Sequence, residues 1–198
     1  MISSLLLAST NPGKLREMRA LLKDLKVRLL SPKDLSLDIE VEETGATYAE
    51  NAARKARAFS LRSGLVSLAD DSGLEVDALG GAPGLYSARY APHPGATDAD
   101  RRAYLLQQLQ DQPRPWSARF RCTVAIALPS GEVHFTEGVC PGEIIPEERG
   151  RGGFGYDPVF LIPSLNKTMA ELSLQEKNKI SHRALAVRAA IPLLKELI

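Results

Sequence analysis

Asp70 and Asp71 stand directly after the apolar run Leu65-Val66-Ser67-Leu68-Ala69 and before Ser72-Gly73. The run has the length and composition of a buried strand, so the pattern predicts two carboxylates where a strand ends and a turn begins. Acids on so stiff a base are suited to hold a hard cation or to accept a proton. Asp, Ser and Gly also make turns through local hydrogen bonds, so a plain turn is the competing reading.

Further groups could join that chemistry. Glu42-Glu43-Thr44-Gly45 is either a solvated turn or, if folded against Asp70 and Asp71, part of a carboxylate cluster fit for Mg²⁺. Lys55 either faces the same place or is a solvated helix lysine. Ser9-Thr10-Asn11-Pro12-Gly13-Lys14 precedes a helix whose first amides and dipole favour an anion, with Lys14 adding charge. It lacks the spacing of a Walker loop and could equally be a plain capped helix. Gly152-Gly153-Phe154-Gly155-Tyr156-Asp157-Pro158 could bring an aromatic face against a flat ligand, or be a bulged turn with Phe154 in the core. Lys177 and Ser181-His182-Arg183 offer donors near a helix start, whereas Lys179 fits a solvated face. No nucleophilic Ser/His/Asp or Cys/His arrangement stands out.

The elements that must position these groups follow from caps and periodicity. Ser3 to Ala8 predicts a strand, and Asn11-Pro12 a helix start with Leu15, Met18, Leu21, Leu22 and Leu25 on one face. Val27 to Leu30 predicts a second strand. Thr47 with Glu50 predicts a capping box opening a helix to about Ser63, its inner face formed by Ala49, Ala52, Ala53, Ala56 and Phe59. Gly80 to Gly95 is expected to be an ordered loop, and Thr97 to Gln110 a helix. Arg119–Leu128 and Val133–Val139 flank Pro129-Ser130-Gly131 as a hairpin, and Val159–Ile162 is a further strand. Ser173 with Glu176 makes another capping box, and Ser181 opens a terminal helix interrupted late by Pro192. Helices alternating with strands, plus a hairpin, predict an α/β domain with a mixed sheet.

The 198 residues suit one sizeable domain, or one domain of two lobes, with an ordinary soluble composition of 44% hydrophobic and 25% charged residues. A net charge of +1 provides no strong field toward nucleic acid or an anionic membrane. Cys122 and Cys140 carry no metal spacing and are expected as reduced, partly buried thiols. No apolar run approaches the ~20 residues needed to span a bilayer. The N-terminus lacks the features of a signal peptide, so a cytoplasmic location is expected.

Taken in order, these segments closely resemble the inosine/xanthosine triphosphate pyrophosphatase family. The resemblance is carried by Ser9–Lys14, Glu42–Gly45, Glu50–Ala56, Ala69–Leu74, Gly80–Gly84 with Ser87–Tyr90, Gly152–Pro158, Lys177 and Ser181–Arg183. It implies one two-lobed domain over 1–198, an elongated mixed α/β sheet flanked by helices, an active-site cleft between the lobes, and a homodimer. It implies Mg²⁺-dependent hydrolysis of deaminated purine nucleoside triphosphates (dITP, ITP, XTP) to monophosphate and pyrophosphate, cleansing the nucleotide pool. Position by position, it implies that Thr10, Asn11, Pro12, Gly13 and Lys14 touch the phosphates, with Lys55 in support. Glu42 and Asp71 would serve the metal, Asp71 also taking a proton, and Ser72 would contact substrate. Phe154, Gly155, Tyr156, Asp157, Lys177, His182 and Arg183 would line the base and sugar. No nucleic-acid or membrane partner is implied. Rival readings are an enzyme of the same fold acting on methylated pyrimidine nucleotides, a catalytically silent nucleotide-binding module, and a nucleic-acid binder.

Overall fold

A computed structural model describes residues 3–198. Strand β1 (Ser4–Leu7) is followed by helix α1 (Pro12–Leu21), capped by the Asn11 side chain, which accepts from the Lys14 N–H. Leu22 is the C-cap, so Leu25 lies beyond this helix rather than on its face. Strand β2 (Arg28–Leu30) and helix α2 (Tyr48–Ser63) come next. Thr47 caps α2 by accepting from the Glu50 N–H, but Glu50 reaches back to the Ala46 N–H instead of that of Thr47. Only half of the expected capping box forms.

The third strand departs most from expectation. Strand β3 runs Val66–Val76, straight through Asp70-Asp71-Ser72-Gly73, so the acids lie inside a strand and not at a turn. Turn propensity is a local preference, and pairing with neighbouring strands overrides it here. The segment 80–95 is likewise more structured than a loop, with short 3-10 turns at Asp77–Leu79 and Gly84–Arg89. Helix α3 (Asp98–Leu109) starts from a full Thr97/Asp100 capping box.

Strands β4 (Trp116–Ala127) and β5 (Val133–Ile144) meet through a turn in which the Gly131 N–H donates to the Leu128 carbonyl. Gly131 has φ +94°, a conformation that glycine adopts at least cost. Strands β6 (Phe160–Ile162) and β7 (Lys167–Thr168) and helix α4 (Leu174–Ile180) follow, the last with the expected Ser173/Glu176 box. Helix α5 (His182–Leu197) continues past Pro192 instead of breaking there. Its buried residues Ala186, Val187, Ala190 and Leu194 hold it against the core on both sides of the proline.

The seven strands form one mixed sheet in the order β2-β1-β3-β4-β5-β6-β7. β1 is parallel to β2 and β3, whereas β6 is antiparallel to β5 and β7. The chain divides into two compact units: the residues up to Asp71 with Cys122–Gly138 and His182–Ile198, and Ser72–Arg121 with Val139–Ser181.

In the first unit the strand period of two sorts side chains onto two cores. Leu5, Leu7, Leu68, Val124 and Ile126 pack with Met18 of α1 and Val187 of α5. Leu6, Ala8, Ala69, Ala125 and Ala127 pack with Ala52, Ala56 and Phe59 of α2. The second unit has its own core, including Leu105, Trp116, Phe120, Tyr156 and Phe160.

Candidate active site

Because β3 continues through both acids, its alternation sends them to opposite faces. Asp70 follows Leu68 toward α1 and α5, and Asp71 follows Ala69 toward α2.

Asp70 is fully enclosed. Its Oδ2 lies 3.1 Å from Lys14 Nζ and accepts from Arg183 Nε at 3.1 Å and Nη2 at 3.0 Å. Arg183 Nη1 donates to Glu17 Oε2 at 2.6 Å. Glu17, Asp70 and Arg183 side chains are each at most 2% exposed. Burial alone would raise the Asp70 pKa, but Lys14, Arg183 and Lys55 outweigh it and hold the carboxyl well below the usual range. Burial would likewise lower the Arg183 pKa, and Asp70 and Glu17 overcome it. Asp70 Oδ1 is buried with no hydrogen-bond partner among the described residues. Cys122 also abuts this network, and burial followed by the Asp70 charge pushes its thiol far up. Both cysteines are free thiols and more deeply buried than the sequence suggested.

Asp71 has lighter company. Its Oδ1 lies 3.5 Å from Lys55 Nζ, which is 2.6 Å from Glu43 Oε1, and its Oδ2 accepts from Asn51 Nδ2 at 3.1 Å. Burial raises the Asp71 pKa. Lys55 opposes this, Glu43 adds to it, and Lys14 and Asn51 oppose, leaving a net rise. For Lys55, burial works downward but is outweighed by Asp71, Asp70 and Glu43, so its pKa rises. Asn51 did not stand out in the sequence. Its Oδ1 accepts the Gly45 N–H at 2.8 Å, tying the acidic segment to the residue that orients Asp71.

The other predicted residues divide by unit. In the first, Thr10, Asn11 and Pro12 are exposed at the start of α1, while Gly13 and Lys14 are half-buried. Glu42 is exposed, and it is its neighbour Glu43 that pairs with Lys55. His182 and Arg183 are buried at the start of α5. The Arg183 guanidinium, expected on the base and sugar side, bonds Asp70 and Glu17. Its distant partners were not visible in a local motif.

In the second unit, Ser72 is half-buried. Lys177 Nζ donates to Asp157 Oδ2 at 2.5 Å and stands 5.0 Å from the centre of the half-buried Phe154 ring. The same Asp157 oxygen accepts the Phe154 N–H at 2.9 Å. Tyr156, not Phe154, is tucked into the core, its hydroxyl donating to the Ser87 carbonyl at 2.8 Å. Gly155 is held by Asp98 and Arg102, which the sequence did not single out.

Among the described residues, no group of three or more His, Cys, Asp or Glu side chains is arranged to hold a metal ion. The donor chemistry still fits a hard divalent cation. Asp71 is buried and crowded by Glu43, which leaves it with charge that a cation would relieve. Mg²⁺ needs only one or two carboxylates when substrate phosphates complete its shell.

A family model described as the Ham1 family matches residues 5–193. A dITP/XTP pyrophosphatase of Desulforamulus reducens is 48% identical over 98% of this chain and 96% of that relative. One of Gloeobacter violaceus is 50% identical over 95% of this chain and 92% of that relative. Among solved structures, a HAM1 protein from Coxiella burnetii superposes with a TM-score of 0.88 at 43% identity, covering 99% of this chain and all of that one (100%). The Staphylococcus aureus Ham1 protein gives 0.85 at 38% identity, with 99% and 100% covered. With the family model matching residues 5–193 and these relatives matching along nearly their whole length, the chain belongs to the Ham1 family.

Proposed function

We propose that the protein is a nucleoside triphosphate pyrophosphatase that removes deaminated purine nucleotides. In this reading it cleaves dITP, ITP and XTP to the monophosphate and pyrophosphate with Mg²⁺. The observation that carries it is the delivery of consecutive acids by one strand to two lysines, Asp70 to Lys14 and Asp71 to Lys55. The relatives, dITP/XTP pyrophosphatases, support the same substrate class.

Phosphoanhydride hydrolysis needs positioning and charge neutralisation, not a covalent nucleophile. Lys14 and Lys55 balance the triphosphate, with the backbone N–H groups of Thr10 and Gly13 near the start of α1 adding donors. Asp71, its affinity for protons raised by burial, takes the proton from the attacking water. Glu42 and Asp71 would hold Mg²⁺, which supplies further neutralisation of the polyphosphate when bound. Phe154 provides the aromatic face and Ser72, Gly155, Tyr156, Asp157, Lys177 and His182 the polar and backbone surroundings of base and sugar. A 6-oxo purine offers an acceptor where adenine offers a donor, so fixed donors there discriminate strongly. Arg183 serves this scheme by securing Asp70.

A homodimer and a cytoplasmic location belong to the same proposal. No helix among the described residues is long and apolar enough to cross a membrane.

The experiment is pyrophosphate release from inosine, deoxyinosine and xanthosine triphosphates against the four standard triphosphates, with and without Mg²⁺. Release confined largely to the deaminated purines, and only with Mg²⁺, is expected. Binding without release would indicate a silent module, and preference for methylated pyrimidines would indicate the rival enzyme.

A further inference from the structure

Gly155 is gripped from both sides by α3. Asp98 Oδ2 accepts its N–H at 2.7 Å, and Arg102 Nη1 donates to its carbonyl at 2.9 Å. The peptide that follows Phe154 and the peptide that precedes Tyr156 are thereby both fixed. Arg102 is itself locked by a two-point pair with Glu148, Nε to Oε1 at 2.8 Å and Nη2 to Oε2 at 3.0 Å. Arg101 holds the other Asp98 oxygen at 2.5 Å. Burial would raise the Asp98 pKa, but Arg101, the Gly155 N–H and Arg102 bring it below its ordinary value, keeping an acceptor in place.

This clamp adds to the bonds by which Asp157 holds the Phe154 N–H and carbonyl. Gly155 has φ +62° and no side chain to pack, so nothing intrinsic selects that conformation over its neighbours. On one side Tyr156 is anchored in the core. On the other, Phe154 is half-buried and carries the aromatic face beside Lys177. Isolated surface ion pairs contribute little, but a planar guanidinium engaging a carboxylate at two points and a backbone carbonyl with a third nitrogen has fixed geometry.

We infer that Asp98 and Arg102 are positioning residues for nucleotide selectivity, acting through Gly155 to fix the Phe154 ring. The inference rests on the reading of the 154–157 segment as the surface that recognises the base. Neither residue touches the nucleotide. Loss of the clamp leaves the phosphate chemistry of the other unit intact and loosens only the placement of the ring.

The test compares Arg102→Ala, Arg102→Lys, Asp98→Asn and Glu148→Gln with the wild type. It reads kcat and KM for inosine and guanosine triphosphates, with a thermal melt for each variant. Arg102→Ala is expected to raise KM for inosine triphosphate about tenfold and to cut its preference over guanosine triphosphate by a similar factor, with kcat within about threefold. Arg102→Lys should restore part of the preference, and Glu148→Gln, which leaves Arg102 in place but unanchored, should shift KM in the same direction. Unchanged preference in both Arg102→Ala and Glu148→Gln would overturn the inference, as would a fall in kcat with KM unaltered. A wild type that does not discriminate between the two triphosphates would instead overturn the functional reading on which the inference stands.

Discussion

Asp70 and Asp71 are separated by one peptide bond, yet they occupy different electrostatic worlds on the two faces of β3. Toward α1 and α5, Asp70 meets Lys14 and a buried arginine that is shared with Glu17. Toward α2, Asp71 meets one lysine, which is shared with Glu43, and one amide. The first set is enclosed apart from the half-buried Lys14. On the second, burial and Glu43 outweigh Lys55, Lys14 and Asn51, which leaves Asp71 readier to bind a proton. A strand's alternation thus gives two consecutive aspartates opposite pKa shifts.

The largest expected effect lies on the Asp71 face. Lys55→Ala should lower kcat for inosine triphosphate about 10²- to 10³-fold, since it removes fixed positive charge beside the reacting groups. It should also move the acid limb of the kcat/KM profile to higher pH, because Lys55 leads the groups that oppose the rise of the Asp71 pKa. A profile that keeps its acid limb in place would separate Lys55 from Asp71.

On the Asp70 face the expected loss is one of stability. Arg183→Ala strands Asp70 and Glu17 in the interior, and breaking such a buried group costs about 3–5 kcal/mol. For a chain of this size that corresponds to a fall in Tm of roughly 10 °C. A melt within a degree or two of wild type would show that the network is not an anchor. A smaller effect is expected at Gly45, where an added Cβ would come within 2.7 Å of both Asn51 Oδ1 and Glu50 Cβ. Gly45→Ala should cost about 1–3 kcal/mol through that crowding. It should also lower kcat by disturbing the amide that orients Asp71, measured beside urea unfolding.

The smallest effect sharpens the contrast by its sign. Asp70 has a depressed folded pKa, so its contribution to stability is present above the ~3.9 of an unfolded aspartate and is lost as pH falls toward the folded value. Asp71 has a raised folded pKa, so it carries no penalty below ~3.9 and reduces stability as pH rises through that higher value. Urea unfolding across pH in buffer free of divalent ions should show Asp70→Asn flattening the acid side of the stability curve. Asp71→Asn should flatten the decline that develops as pH rises from ~3.9 through the higher folded value. The same sign of change in both variants would erase the distinction between the faces.

Local chemistry was largely legible, although Glu50 bonds the Ala46 N–H and not that of Thr47. Asn11-Pro12, Thr97 and Ser173 with Glu176 cap their helices as expected because a cap is decided within four residues. The doubled acid was misplaced relative to its strand because Asp-Asp-Ser-Gly has turn chemistry that only long-range pairing overrules. Asn51, Glu17, Asp98 and Arg102 were missed for a related reason. Their decisive partners lie 20, 166, 57 and 53 residues away, beyond any pattern of spacing. The candidate residues Lys14, Lys55 and Asp71 were legible as types, but the division of labour between Asp70 and Asp71 was not.

That division is tested most directly by measuring kcat for inosine triphosphate and the free energy of unfolding side by side in Asp70→Asn and Asp71→Asn. The account predicts that Asp71→Asn loses turnover by about 10²- to 10⁴-fold while its unfolding midpoint stays near that of wild type. It predicts that Asp70→Asn is the variant that loses stability. Near-normal turnover in Asp71→Asn, or the same loss of both quantities in the two variants, would contradict it.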